Sequence, residues 1–291
     1  MHQAMSVIRN LPADQYHAIK AVSAGMVWTL DSECPLKAWL GSPWNPNQTR
    51  AEAKHFDIGT AVHLSVLEPE RLEERVVLVR GLTKKGDPSP GYASQDARDQ
   101  RDMAYAAGKT PLLPEEREIV LGMHEAIARQ RRIWDLFSDG DAEITLQWEW
   151  DGLPCKCRPD FLAADASYIL DLKSANTVNP RTVASKMEKE GWFVRAPWYM
   201  AGAKMTTGTM PKSYKFVAVE KDPPHLCEVF DIDIRAMVQG EQIIGRALSI
   251  IAKCQETGRW PSYGNGETIT LSRPTWAAYQ HNEREEDGDF Q

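Results

Sequence analysis

The chain has 291 residues, 42% hydrophobic and 26% charged, close to the average for soluble globular proteins and far from disordered or collagen-like extremes. Its net charge of −7 excludes a surface coated in basic residues for nucleic acid, because phosphate contacts come from Lys and Arg. It does not exclude a carboxylate metal site beside one basic channel, with an acidic exterior such as the run Glu283, Glu285, Glu286, Asp287, Asp289.

No window approaches the roughly 18 apolar residues of a membrane span, and the opening MHQAMSVIRNLPADQY lacks a signal pattern. Five cysteines argue against a disulfide framework. A cytoplasmic protein with reduced thiols and no membrane partner is expected. The length suits one catalytic domain, with an N-terminal helical part over 1–110 and a core over 111–291.

Residues 14–42 read as short helices broken by turns and closed by Gly41-Ser42-Pro43. A helix is predicted from Ala53 to about Leu67, ending before Pro69. The stretch Gly81–Asp102, rich in Lys, Gly, Pro, Ser and Asp, has no periodicity and is predicted to be a mobile loop. A helix over Glu115–Phe137 follows. From 143 the period becomes two: Ile144, Leu146, Trp148 and Trp150 alternate with polar residues, Asp151-Gly152 turns, and Lys156–Ala163 returns as a second strand. A third strand, Tyr168–Lys173, follows the turn Asp165-Ala166-Ser167, and more are expected at Tyr214–Val219 and Cys227–Ile232. Helices are predicted over Val178–Lys189, Trp192–Met205 with Pro197 near its first turn, Ile234–Glu256 and Pro274–Tyr279. The fold class is therefore α/β, or α+β, with a central sheet flanked by helices.

The chemistry concentrates in Arg158-Pro159-Asp160-Phe161 and Ile169-Leu170-Asp171-Leu172-Lys173. Asp171 and Lys173 are two apart on a strand, so both leave one face while Leu170 and Leu172 enter the core on the other. Asp160, on the neighbouring strand, completes a hard-oxygen site for Mg²⁺ or Mn²⁺, which suits phosphodiester hydrolysis with Lys173 orienting water or offsetting charge. The spacing alone equally describes a strand-end aspartate beside a surface ion pair, because D-x-K recurs by chance. His63, in Gly59-Thr60-Ala61-Val62-His63, is on its own most simply a satisfied helix-flank histidine.

Taken together, Gly59-Thr60-Ala61-Val62-His63 with Leu67-Glu68-Pro69-Glu70, then Cys155-Lys156-Cys157-Arg158-Pro159-Asp160, then Asp171-Leu172-Lys173-Ser174-Ala175 resemble the successive motifs of the phage and prophage exonuclease VIII (RecE) family. That family lies in the RecB-like branch of PD-(D/E)xK nucleases. Tyr16-His17-Ala18, Ala21-Val22-Ser23 and Leu271-Ser272-Arg273-Pro274-Thr275-Trp276-Ala277 extend the resemblance to about residues 16–280.

The resemblance implies a PD-(D/E)xK restriction-endonuclease-like core, with His63, Asp160, Asp171 and the carbonyl of Leu172 as metal ligands and Lys173 as the catalytic lysine. Glu143 matches a family glutamate that helps a second metal or water, and a strand-end surface charge is an equal reading. Tyr199 matches the tyrosine of a Q-x-x-x-Y motif. Arg195 replaces its glutamine, on the same helical face, where a guanidinium can grip phosphate. Arg158, Lys84 and Lys85 are further candidates for DNA contact; for the two lysines a solvated loop is the alternative.

Trp192, Phe193, Trp198 and Tyr199 fit a core stripe better than a base-stacking platform. The scattered cysteines exclude the iron–sulfur cluster of another branch. The implied activity is an ATP-independent exonuclease acting 5′ to 3′ on double-stranded DNA ends in a bacterial cell. It also carries a ring-shaped homo-oligomer, tetramer before trimer, and a single-strand annealing protein of RecT type as partner. An endonuclease on the same site and a catalytically silent DNA-binding module are the other readings.

Overall fold

The computed structural model describes residues 5–48 and 57–275. Residues 53–56 of the helix predicted from Ala53, the terminal helix beyond residue 275 and the acidic run near the C-terminus lie outside the described residues.

The first elements are β1 (Ser6–Ile8) and three short helices, α1 (Ala13–Ala18), α2 (Ala24–Ser32) and α3 (Pro35–Leu40). The Ser23 hydroxyl caps α2 by accepting from the Met26 amide at 3.3 Å. The helix α4 (Asp57–Leu67) precedes a 3₁₀ turn at Pro69–Arg71, then α5 (Leu72–Arg75) and β2 (Val76–Leu78).

Next come α6 (Gln95–Ala106), β3 (Thr110–Leu112), α7 (Pro114–Arg129) and α8 (Arg131–Trp134). The predicted loop thus ends at Ser94, whose side chain caps α6. The helix was hidden because it is almost wholly polar, burying only Ala97 and Ala104. The single helix expected over Glu115–Phe137 breaks at Gln130, whose ψ of 79° leaves the helical region.

The rest of the chain runs β4 (Gly140–Ala142), β5 (Thr145–Trp150), β6 (Leu153–Cys157), β7 (Phe161–Ala163), β8 (Tyr168–Ala175), α9 (Pro180–Glu190), α10 (Trp192–Thr207), β9 (Ser213–Glu220), β10 (Cys227–Asp231) and α11 (Ile234–Thr257). A five-stranded sheet has the order β10-β9-β8-β7-β4, parallel between β8 and β9 and antiparallel elsewhere. A three-stranded antiparallel sheet has the order β1-β5-β6, and β2 pairs with β3 in parallel.

The strand expected over Lys156–Ala163 is two strands in different sheets. The ribbon that begins as β4 against β7 continues as β5 against β6, and it kinks where both chains cross from one sheet to the other. On one side Glu143 adopts a left-handed backbone with φ of 50°; on the other Pro159 has no amide to give to a ladder. The Glu143 amide donates to the carbonyl of Asp160 at 3.0 Å and holds the two bends side by side.

Each face of the larger sheet has its own core. Ile169, Tyr214 and Phe216 pack beneath α2, α10 and α11. Leu172, Val217 and Val219 pack beneath α4 and α7. Alternation on β8 and β9 therefore buries both faces, as expected of the parallel centre of a covered sheet.

Candidate active site

Past Leu170, β8 loses β7 as a neighbour, because β7 pairs only through Phe161 and Leu162. The exposed ladder edge of Leu172 is instead satisfied by side chains. Its amide donates to Oδ2 of Asp160 at 2.7 Å, and its carbonyl lies 2.7 Å from Nε2 of His63. The kink thus frees a strand edge and supplies the carboxylate that occupies it.

Helix α4 delivers His63 across that edge, and it approaches closely because Gly59 faces Ser174: a Cβ there would come 3.1 Å from the Ser174 hydroxyl. Nδ1 of His63 lies 3.8 Å from Oε1 of Glu143 and 3.8 Å from Oδ2 of Asp160. One ligand atom from each of His63, Glu143 and Asp160 falls within 4.8 Å of the others.

Burial and the neighbouring charge of Asp171 push the Asp160 carboxyl up to about 7. His63 is raised as well: burial works against its charged form, but Asp160 and Glu143 more than offset it. Two carboxylates and an imidazole drawn together in this way fit a divalent cation, with mainly oxygen ligands and the Leu172 carbonyl beside them.

On the opposite face of β8, Asp171 is 2% exposed. Its Oδ1 accepts from Lys173, and its Oδ2 accepts from the Tyr214 hydroxyl at 2.7 Å and from Arg195 Nη1 at 3.2 Å. Burial would raise this carboxyl, but Lys173 and Arg195 hold it well below the usual range.

His63, Glu143, Leu172, Lys173, Arg158 and Arg195 line one cleft of about 600 Å³. Arg158 is already engaged, bonding the Thr145 hydroxyl at 2.9 Å and the Leu11 carbonyl at 2.8 Å and lying over the Tyr16 ring at 4.4 Å. Tyr199 sits behind Arg195, edge-on to Tyr214 at 5.8 Å, and burial pushes its hydroxyl well above the ordinary phenol value.

Lys84 and Lys85 stand on an exposed turn closed by Thr83 and Asp87, and they do not line the cleft. Trp192, Phe193 and Trp198 are buried in the core and offer no face to a base.

Three site features escape sequence reading. Arg71 and Arg75, four apart at the cleft mouth, give a helical i,i+4 signal that is recognisable but common. Tyr214 reads as one more alternating core aromatic, so its hydroxyl bond to Asp171 has no sequence signature.

Residues 22–272 match the family described as a PDDEXK-like domain of unknown function (DUF3799). A crystal structure of a candidate exonuclease from Eubacterium rectale is similar with a TM-score of 0.62 at 9% identity, covering 93% of this chain and 98% of its own. An alkaline exonuclease from Laribacter hongkongensis aligns with a TM-score of 0.34 at 14% identity, over 85% of this chain and 97% of its own. No curated protein matches the sequence.

Proposed function

The chain belongs to the PDDEXK-like family DUF3799, and from that premise we propose that it is a divalent-metal-dependent nuclease that digests double-stranded DNA from its ends, 5′ to 3′ and without ATP. The observation that carries this reading is the convergence of His63, Glu143 and Asp160 at a freed strand edge, where His63 and Glu143 line one cleft with Lys173.

His63, Glu143, Asp160 and the Leu172 carbonyl are the groups suited to hold the cation, with Asp171 adjoining through Lys173. A divalent ion there supplies Lewis-acid stabilisation of charge on the phosphoryl oxygens. Lys173, held by Asp171 and 19% exposed, presents a cation to the cleft; it hydrogen-bonds a nucleophilic water or a phosphoryl oxygen and offsets charge as the bond breaks.

Exonuclease rather than endonuclease action rests on the motif order described above, as do the ring-shaped homo-oligomer and a RecT-type annealing partner. A ring accommodates the net charge of −7, since an acidic exterior is compatible with a basic channel.

Linear duplex labelled at either 5′ or 3′ ends, incubated beside closed circular DNA without ATP, tests the reading. Mg²⁺-dependent release of the 5′ label, suppressed by chelator, with the circle intact is the expected result. A nicked circle would replace it with the endonuclease. No digestion by folded protein would leave a silent DNA-binding module.

Arg75 lines the cleft and has no ion-pair partner among the described residues, so its guanidinium is available to phosphate. Arg75→Ala is expected to weaken duplex binding and raise KM several-fold. It should also flatten the dependence of log affinity on log salt by about 1, the loss of one phosphate contact. An unchanged slope would remove Arg75 from the DNA path.

A further inference from the structure

We propose that Arg195 is a built-in counter-cation of Asp171, a positioning residue that restricts the site to a single divalent ion. The inference rests on the metal-dependent reading above and adds to it the number of ions.

The geometry is that of a filled anion. Both oxygens of Asp171 are occupied, one by Lys173 and the other by Arg195 Nη1 at 3.2 Å and the Tyr214 hydroxyl at 2.7 Å. The carboxylate side chain is 3% exposed, so these partners are not exchanged for water. A second ion drawing on Asp171 would have to displace either the Lys173 ammonium or the half-buried Arg195 guanidinium from a buried carboxylate.

Charge gives the same answer. Counted over the groups at the strand edge alone, with the three carboxylates ionised as in a metal-bound site, Glu143, Asp160 and Asp171 against Lys173 and Arg195 leave one negative charge. One divalent ion reverses that to a single positive charge, suited to a phosphodiester; a second would build a large positive excess in partly buried surroundings, which is costly.

The backbone that carries Arg195 is fixed at the start of its helix. The Arg195 amide donates to the carbonyl of Gly191 at 3.1 Å, and Gly191, at φ of 66°, lies so close to Trp28 that a Cβ would overlap the indole. With its backbone placed there, Arg195 reaches Asp171 at 3.2 Å.

The experiment counts ions on the whole protein without DNA, by calorimetric titration with Mn²⁺ and by the electron paramagnetic resonance of bound Mn²⁺. Wild type is expected to bind one ion per chain. Arg195→Gln should bind the first at least about tenfold more tightly, because a like charge has been removed, and should take up a second. Arg195→Lys, which keeps the charge, should return to one ion, a rescue that a merely structural role would not produce.

Two ions on wild type, or an Arg195→Gln titration identical to wild type, would overturn the inference while leaving Mg²⁺-dependent digestion intact. Absence of both ion binding and digestion in wild type would sink the nuclease reading with it. Should Arg195→Gln fail to fold, the wild-type count still decides: one ion supports the inference and two overturn it.

Discussion

Lys173→Ala is expected to slow Mg²⁺-dependent digestion of linear duplex by about 10³-fold, within the range for losing a proton-transfer group or a preorganised electrostatic donor. On the proposed reading the lysine serves the chemistry, and it contributes little to packing. It leaves β8 on the face shared with Asp171 and reaches the cleft while Leu170 and Leu172 stay in the interior.

Truncating Lys173 leaves Asp171 with Arg195 and Tyr214 as partners, so the buried carboxylate is not stranded and folding should survive. The signature is therefore a collapsed kcat with duplex affinity and melting temperature close to wild type. Lys173→Arg should rescue poorly, because a planar fork does not occupy the place of a compact ammonium. Digestion within tenfold of wild type by the alanine variant would show that the lysine is a partner of Asp171 and nothing more.

The elements that were legible in the sequence are those whose pattern reports burial directly. Leu170 and Leu172 alternate with Asp171 and Lys173, and β8 buries the leucines completely. The hairpin turn at Asp151-Gly152 falls where the dipeptide placed it, with both residues at positive φ. What the period of two does not report is a change of sheet. The alternation around Lys156–Ala163 looks like one strand, yet Pro159 and the left-handed Glu143 fold the ribbon at the point where the site forms.

The same limit applies to the site. His63, Glu143 and Asp160 come from α4 and from the two sides of the kink, and nothing local in the sequence says that their ligand atoms converge. Helix α6 was missed for another reason, since a polar helix that buries only alanines has no apolar stripe to read. The short strands β1, β2 and β3, of three residues each, are below what periodicity resolves.

Gly240→Ala is expected to destabilise the protein by about 2–3 kcal/mol, although alanine at an interior helix position ordinarily gains up to about 1 kcal/mol over glycine. The reason lies in α10. Pro197 gives no amide to the carbonyl of Phe193 four residues earlier, so that carbonyl loses its helical partner. Helix α11 passes over the same spot at Gly240. A Cβ there would overlap the Phe193 oxygen and come 3.0 Å from Cγ of Pro197.

The obstacle is backbone, which cannot rotate away, so α10 and α11 must separate. Arg195 lies between Phe193 and Pro197 on the displaced segment, and its 3.2 Å contact with Asp171 should loosen with it. Lower stability and slower digestion are thus expected together, with a melting temperature lower by roughly 3–5 °C for a chain of this size. Gly245, on the same helix, has open space around its would-be Cβ, and Gly245→Ala should raise the melting temperature through helix propensity alone. If thermal melts show the two substitutions moving in the same direction, the close approach of α11 to the Phe193 carbonyl does not set the position of α10, and Arg195 is held by some other contact.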